Sequence, residues 1–216
     1  MHVIVAACAT ILLALWPARM GAQCDQCEGD FNGDGNVTID EIIVSVNNAL
    51  NNCPAPGPRF DDKGDGTITD TKTGLQWEKK SNDFSVHDVD NTYTWSTGPQ
   101  YDPDGTLFTV FVATLNHQPC FAGHCDWRLP SVAELQSLVD YGTFAPAIDA
   151  IFNTECPSGC TVMMCSCTSL DNYWSATSSA EAPSNAWNVD FNSGTVSTYD
   201  KTLPPTFFAR AVRGGL

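Results

Sequence analysis

Basic residues are scarce in this chain of 216 residues, which has 10 Lys and Arg against 25 Asp and Glu and a formal net charge of -15. No run of three basic residues occurs anywhere in it. Proteins that bind nucleic acid, anionic membranes or sulfated glycans use clustered cations to neutralise the anion. We therefore predict no nucleic-acid partner, and the charge balance also opposes the two other anionic partners.

The motifs of the common catalytic sites are missing as well. The chain has no G-x-S-x-G, no H-E-x-x-H, no phosphate loop and no dinucleotide fingerprint. Isolated carboxylates are plentiful, but a sequence gives no separation by which to identify a glycosidase pair. We predict that the protein is not an enzyme.

Long hydrophobic runs are limited to residues 3–16, a segment too short to span a bilayer and followed by small residues through Ala22. This pattern predicts a signal peptide over residues 1–22 and a secreted protein, extracellular, periplasmic or at the cell surface. Gln23 before Cys24 argues against a lipoprotein. No other segment predicts a membrane span in the mature chain.

Cysteine is abundant, and nine cysteines remain once Cys8 leaves with the signal, which is typical of an oxidising compartment. One of Cys24 and Cys27 is expected to pair with Cys53, leaving the other free or paired between domains or chains. Six disulfide candidates follow, and they can close among themselves in several connectivities: Cys120, Cys125, Cys156, Cys160, Cys165 and Cys167. Zinc is the alternative around His117 and His124, but the spacing matches no established zinc pattern, so disulfides are predicted.

One stretch, DFNGDGNVTIDE, fits the calcium-loop pattern D-x-[DN]-x-[DN]-G-x5-E at every specified position. A hard cation such as Ca²⁺ needs six to eight oxygen ligands, and a single curled loop can deliver them. Gly35 permits the sharp turn. The predicted ligands, at positions one, three, five, seven, nine and twelve, are Asp30, Asn32, Asp34, Asn36, Thr38 and Glu41.

A helix is predicted after this loop, because Ile42, Ile43, Val46, Ala49 and Leu50 recur at helical spacing. No helix is expected before it. Residues 24–53 therefore resemble half of a dockerin, a module that carries two such repeats and docks to a protein partner. The calcium module either stabilises the chain or docks it to a partner, and both alternatives stay open.

A stiff linker, PAPGP at residues 54–58, separates this module from the rest. Next, Asp61, Asp65 and Asp70 could be read as a second calcium loop, but Lys63 stands where an oxygen ligand is needed. We predict a hairpin instead, with its turn at residues 64–66 and strands around Ile68 and over residues 75–77. Residues 79–106 are predicted to be a loop anchored by Tyr93 and Trp95.

The clearest helix signal lies in FAGHCDWRLPSVAELQSLVDYG, residues 121–142. Ser131 is the predicted N-cap, with Glu134 as its capping-box partner. A helix is therefore expected from about Val132 to residues 140–142. Its predicted buried face is Val132, Leu135, Leu138 and Val139.

Toward the C-terminus, short strands are predicted around Trp174, Trp187 and Phe191, with a turn at residues 192–194 and a closing strand over residues 207–212. The few arginines in this acidic chain are expected to pair with carboxylates inside the fold. They are Arg128, Arg210 and Arg213.

Five blocks, at residues 59–77, 121–142, 172–180, 186–196 and 208–215, together resemble the bacterial Lcl C-terminal domain family. The resemblance covers residues 59–216. It implies an α+β, C-type-lectin-like fold in secreted or surface proteins that bind ligands such as glycans, and it implies no reaction. It also favours a helix over a strand at residues 107–116, with Phe108, Phe111, Val112 and Leu115 packed inward.

Three functions follow from these observations. The first is a calcium-binding protein that recognises a glycan or cell-surface protein, as in adhesion, and exposed aromatic side chains in a concave patch would favour it. The second is an assembly protein docked through the calcium module, which an exposed apolar stripe on the helix of residues 42–50 would favour. The third is a carbohydrate-active enzyme or an accessory to one, which a buried carboxylate pair would favour.

Overall fold

The computed structural model describes residues 38–50, 58–204 and 206–215. The chain divides into two compact units between Pro56 and Gly57. Within the described ranges, no helix is both long and apolar enough to cross a membrane. Several predictions fall outside the described residues and stay predictions: the signal peptide, residues 54–57 of the linker, Cys24, Cys27, Cys53, Asp30, Asn32, Asp34 and Asn36.

The first unit contributes one described element, the helix α1 (Ile39–Leu50). The helix predicted after the loop is present, but it begins at Ile39 and not at Ile42, because Thr38 and Glu41 form a capping box. The Glu41 carboxylate accepts from Thr38 N at 2.8 Å and Thr38 Oγ1 at 2.9 Å, and Glu41 N donates back to Thr38 Oγ1 at 3.3 Å.

The second unit is built on two antiparallel sheets, and its mixed content of sheet and short helices is compatible with the predicted α+β class. One sheet has the strand order β1-β2-β3-β7 and the other has the order β4-β5-β6. The strands are β1 (Phe60–Asp62), β2 (Thr67–Asp70), β3 (Leu75–Glu78), β4 (Asn172–Ser178), β5 (Asn185–Asp190), β6 (Thr195–Asp200) and β7 (Val212–Gly214).

The hairpin predicted over the alternative calcium loop is confirmed between β1 and β2. Gly64 and Gly66 take φ values of 70° and 93°, a region that favours glycine and permits the tight turn. Lys63 forms an ion pair with Asp61, and the Asp62 carboxylate accepts a hydrogen bond from Gly64 N. The carboxylates of Asp61 and Asp62 therefore stabilise the turn.

The capping box predicted at Ser131 is confirmed, since Ser131 Oγ accepts from Glu134 N and Glu134 Oε2 accepts from Ser131 N. The predicted length was wrong, because α3 covers only Val132–Gln136. Ser137 Oγ bonds the Glu134 carbonyl, and the chain leaves the helix so that Val139 pairs with Ile148. Leu135 and Leu138 are buried as predicted, whereas Val132 and Val139 are half-buried.

Residues 107–116 are helical, as the resemblance implied. A π-helix (Leu107–Val112) continues into the short α2 (Ala113–Leu115). Phe111 and Leu115 are buried, and Phe108 and Val112 pack against the same apolar cluster. The preceding loop contains no named helix or strand, and its predicted anchors Tyr93 and Trp95 are buried. Short 3₁₀ turns cover Phe121–Gly123 and Ala150–Phe152.

Two apolar clusters form the core of the second unit. The first lies between the β1-β2-β3-β7 sheet, α3 and the start of the other sheet, and includes Trp77, Leu135 and Phe191. The second surrounds the π-helix and contains Trp174 and Trp127. Each cluster draws residues from distant parts of the chain, so the two sheets and the long loop are stabilised together.

The closing strand predicted over residues 207–212 was misplaced, because it shares only Val212 with the observed strand, which continues to Gly214. The regular strand β7 begins at Val212, and Phe207 and Phe208 make only isolated bridges, to Tyr93 and Tyr173. The interruption has a physical cause, since Ala211 N donates to the Glu78 carboxylate instead of to a strand carbonyl.

All six cysteines of the second group form disulfides within that group, as predicted. The pairs are Cys120–Cys125, Cys156–Cys167 and Cys160–Cys165. The disulfide reading of Cys120 and Cys125 over a zinc site is thereby supported.

Candidate functional site

The loop that follows α3, at residues 140–146, presents two aromatic side chains to solvent. Tyr141 is 69% exposed and Phe144 is 71% exposed. Aromatic side chains are usually buried, and an exposed pair on one loop is a feature of interaction sites. We call this segment the aromatic loop.

The aromatic loop is held in place by the turn between β5 and β6. Ala145 N donates to the Asn192 carbonyl at 2.9 Å, and Ala147 N donates to the Phe191 carbonyl at 2.8 Å. At its start, the Tyr141 hydroxyl accepts a hydrogen bond from Gln136 Nε2 at 3.1 Å. A loop that is fixed by backbone pairing presents its side chains without a large entropic cost on binding.

Gly194 makes the contact between this turn and the aromatic loop possible. A Cβ atom at Gly194 would lie 2.7 Å from Val139 Cγ1 and 3.2 Å from the Tyr141 ring. Its φ of 76° also lies in the region that favours glycine. The aromatic loop therefore depends on a glycine in a different hairpin.

Acidic residues predominate around the aromatic loop, and the Arg59 guanidinium that reaches the nearby Ser137 carbonyl is paired with Asp70. Residues 129–200 contain no Lys, Arg or His and eight Asp and Glu. Asp140, at the start of the loop, accepts a hydrogen bond from Gly142 N, and Asp190 accepts from Asn192 N in the adjoining turn. Such a surface does not attract sulfated or phosphorylated ligands.

The tryptophans do not contribute to this surface. Among the residues the structure describes, no tryptophan is exposed, and only Trp187 is half-buried. Trp95 and Trp174 instead border a cavity of about 140 Å³, with Lys201, Leu203 and Thr206. Lys201 Nζ donates hydrogen bonds to Ser178 Oγ and the Pro183 carbonyl and lies over the ring of Trp95. A more open hollow of about 530 Å³ lies beside His117 and Pro119.

The predicted calcium ligands divide between described and undescribed residues. Thr38 and Glu41 are brought together at the start of α1, as positions nine and twelve of a calcium loop require. Glu41 is buried although its neighbours on α1 are exposed. Carboxylate and hydroxyl oxygens at this position fit Ca²⁺, which takes oxygen ligands.

A buried network of charged side chains was not predicted from the sequence. The Glu78 carboxylate accepts from Lys80 Nζ at 3.2 Å and Ala211 N at 2.9 Å, and its Oε1 lies 2.7 Å from His87 Nδ1. Burial opposes the charge of Glu78, but Lys80 and His87 outweigh it and hold the pKa of this carboxyl below its usual value. Burial lowers the pKa of the Lys80 ammonium.

Arg210 belongs to the same network and corrects a prediction. Arg128 and Arg213 pair with carboxylates as expected, those of Glu134 and Asp126. The fully buried Arg210 instead donates to the carbonyls of Glu78 and Cys167 and to Thr168 Oγ1. A buried pair of carboxylates would have favoured an enzyme. The buried Glu78 instead has Lys80, His87 and a backbone N–H as its partners, and it lines neither of the two cavities.

Comparison with known proteins gives one match. The family model described as the Lcl C-terminal domain matches residues 66–213. No curated protein and no solved structure matches the chain.

Proposed function

Because the chain belongs to the Lcl C-terminal domain family, we propose that it is a secreted, non-catalytic binding protein with a C-type-lectin-like second unit. Two small antiparallel sheets, short helices and disulfide-closed loops are compatible with that fold. The ligand is a glycan or a protein surface, and the binding site is the aromatic loop.

The exposed pair Tyr141 and Phe144 carries this proposal. Aromatic rings present a flat apolar face that stacks against the C–H face of a sugar ring or fills a pocket of a partner protein. Aromatic residues also contribute most of the binding free energy at many protein interfaces. Because residues 129–200 are acidic and lack cations, the ligand is neutral or basic.

A glycan array followed by interferometry on the captured ligand tests this proposal. We expect Tyr141→Ala and Phe144→Ala each to weaken binding at least about tenfold, since a central aromatic contributes about 2 kcal/mol or more. Phe84→Ala is the matched control, because Phe84 is 89% exposed on a different loop. Equal losses in all three variants, or none, would refute the aromatic loop as the site.

Calcium binding by the first unit is part of the same proposal, and the contact between Thr38 and Glu41 supports it. Titration calorimetry should detect one ion per chain, with weak affinity, a dissociation constant of about 10⁻⁴ to 10⁻³ M as in extracellular modules. Asp30→Ala and Glu41→Gln should abolish the heat. Heat that survives Asp30→Ala, which leaves the capping box intact, would contradict the calcium assignment.

A second candidate function rests on α1. Ile39, Ile42, Ile43 and Val46 recur at helical spacing and are 76%, 48%, 52% and 49% exposed. An apolar helical stripe of this kind favours docking of the chain to a protein partner. Ile39→Ser with Ile43→Ser should release the protein from the envelope of producing cells, whereas Val110→Ser, at an equally exposed position of the second unit, should not.

A further inference from the structure

Four cysteine sulfurs meet in one place in the second unit. The Sγ atoms of Cys156, Cys160, Cys165 and Cys167 all lie within 4.8 Å of one another. They form two disulfides, and the sulfurs of different disulfides are in contact, with Cys165 Sγ 3.7 Å and Cys160 Sγ 3.9 Å from Cys167 Sγ. Two disulfides that only close a loop have no need to touch, so the contact requires another explanation.

The four sulfurs lie close enough together to reach the spacing of a tetrathiolate metal site once the two S–S bonds are broken. A tetrahedral zinc ion with zinc–sulfur bonds of about 2.3 Å holds its sulfurs about 3.8 Å apart. The contacts between the two disulfides already have this length. The Cα atoms of the bonded pairs are 5.7 and 6.0 Å apart, so breaking each S–S bond requires only side-chain rotation to reach the same separation.

We propose that these four cysteines form a redox-dependent metal site: two disulfides when oxidised and, when reduced, a tetrathiolate site for a soft divalent cation such as Zn²⁺. In an oxidising compartment the disulfides close the loop. In a reducing environment the metal takes their place and holds the same segment. Three of the four cysteines are at most 2% exposed, and only Cys156 is half-buried, so the bound ion is shielded from water.

The surroundings of the cluster favour the charge that such a site would carry. Four thiolates and one divalent cation leave two negative charges, and residues 129–200 offer no cation to balance them. A cation comes from elsewhere in the chain, because the buried Arg210 donates to the Cys167 carbonyl at 2.6 Å, which places its guanidinium close to the cluster.

A further donor is available. The Ser166 hydroxyl, between Cys165 and Cys167 in sequence, is buried and lacks a hydrogen-bond partner among the described residues. Metal-bound ligands are commonly oriented by such donors in their surroundings. The disulfide form makes no use of this hydroxyl.

A phosphine can supply the electrons that reduce the two disulfides. Two phosphine molecules and two waters reduce the two disulfides to four thiols, giving two phosphine oxides. One Zn²⁺ then displaces the four thiol protons and forms four metal–sulfur bonds. Two cellular dithiols, each oxidised to a disulfide, supply the same four electrons and four protons.

The experiment uses Co²⁺ as a spectroscopic substitute for Zn²⁺. The full chain, reduced with a phosphine, should bind one Co²⁺ through these four cysteines with the visible ligand-field bands of tetrahedral thiolate coordination, and Zn²⁺ should displace it. Native mass spectrometry should show one metal and the loss of the matching protons. The oxidised chain should bind none at this site.

Three variants decide the assignment. Cys156→Ser should weaken Co²⁺ binding at least about tenfold, whereas Cys156→His, which keeps a ligand, should bind with shifted bands. Cys120→Ser with Cys125→Ser removes the disulfide outside the cluster and should leave the spectrum unchanged. No uptake by the reduced wild type, folded or unfolded, would overturn the proposal, as would binding that is insensitive to Cys156→Ser or lost in the Cys120/Cys125 control.

Discussion

Two irregular segments of the second unit, the aromatic loop at residues 140–146 and the cysteine loop at residues 156–167, are held in different ways. The aromatic loop contains no cross-link and is fixed by backbone hydrogen bonds to the β5–β6 turn. The cysteine loop has two disulfides, both within the loop itself. Its contacts with the rest of the unit include hydrogen bonds to Asn82, the Lys80 carbonyl, Thr154 and Arg210, and packing against Val89.

The shape of a loop and its attachment to the rest of the unit are determined by different interactions. Local disulfides restrict the conformations of the cysteine loop mainly by reducing the entropy of the unfolded chain. They do not connect the loop to the rest of the unit, so its hydrogen bonds and its packing against Val89 must do so. The aromatic loop has no disulfide and is attached by hydrogen bonds to the β5–β6 turn, so it should be sensitive to small changes in that turn.

Loss of Arg210 should have the largest effect. Arg210→Met would leave the carbonyls of Glu78 and Cys167 buried without their donor, and we expect a loss of about 3–5 kcal/mol in the free energy of unfolding. Arg213→Met is the control, since its partner Asp126 is exposed, and should cost about 1 kcal/mol or less.

Urea denaturation measures both values, and hydrogen exchange locates the effect. In Arg210→Met, amide protection should fall more in the cysteine loop than in the aromatic loop. Unchanged protection of the cysteine loop would show that Arg210 is not needed to attach it and that its remaining contacts suffice.

Removal of one local disulfide should cost less. Cys160→Ser with Cys165→Ser opens a ring of sequence separation 5, for which the loss of chain constraint amounts to about 2 kcal/mol. Cys120→Ser with Cys125→Ser opens a ring of the same separation and should cost about the same. A clearly larger loss at Cys160 and Cys165, measured by urea denaturation under oxidising conditions, would show that this disulfide also supports packing.

Short-range signals in the sequence predicted much of this fold. The hairpin after β1, the capping box at Ser131 and the closure of six cysteines among themselves depend on residues close in sequence, and all three were confirmed. The length of α3 was wrong, because it is limited by the pairing of Val139 with Ile148. Long-range competition of this kind leaves no local signal.

The candidate sites were less predictable for the same reason. The buried network joins Glu78 to Arg210, which are 132 positions apart. Tyr141 was predicted at the end of a helix and nothing was predicted for Phe144, and the exposure of both depends on the β5–β6 turn that holds the loop. The cysteine spacing predicted disulfides but could not show that two of them touch.

The two loops can be compared through two glycines: Gly194 lies in the β5–β6 turn that holds the aromatic loop, and Gly159 lies in the cysteine loop itself. Gly194 and Gly159 have φ values of 76° and 84°, so alanine at either should cost about 1 kcal/mol in backbone strain. Gly194→Ala adds a contact of 2.7 Å to Val139, whereas nothing lies within 4 Å of the Cβ position at Gly159. We expect a total of about 1–2 kcal/mol for Gly194→Ala by urea denaturation, together with weaker ligand binding through displaced Tyr141. Equal costs and unchanged binding would contradict this dependence.

The smallest effect should come from lowering the pH, and we expect it near α3 and the aromatic loop but not in the cysteine loop. Arg128 lies beside Glu134 and holds the pKa of that carboxyl below its usual value, with additional hydrogen bonds from Ser131. A carboxyl with a lowered pKa stabilises the fold at neutral pH, and this contribution disappears as the pH falls through the folded-state pKa. The pair is partly exposed, so the contribution is about 0.2–1 kcal/mol. Glu134→Gln should therefore remove that amount at neutral pH and flatten the decline in stability as the pH falls below the ordinary glutamate pKa of 4.5, measured by urea denaturation. The cysteine loop makes no contact with Arg128 or Glu134 in these hydrogen bonds. Its hydrogen exchange should therefore be the same in wild type and variant at neutral and at acidic pH. A difference in the cysteine loop would show that the two loops are coupled.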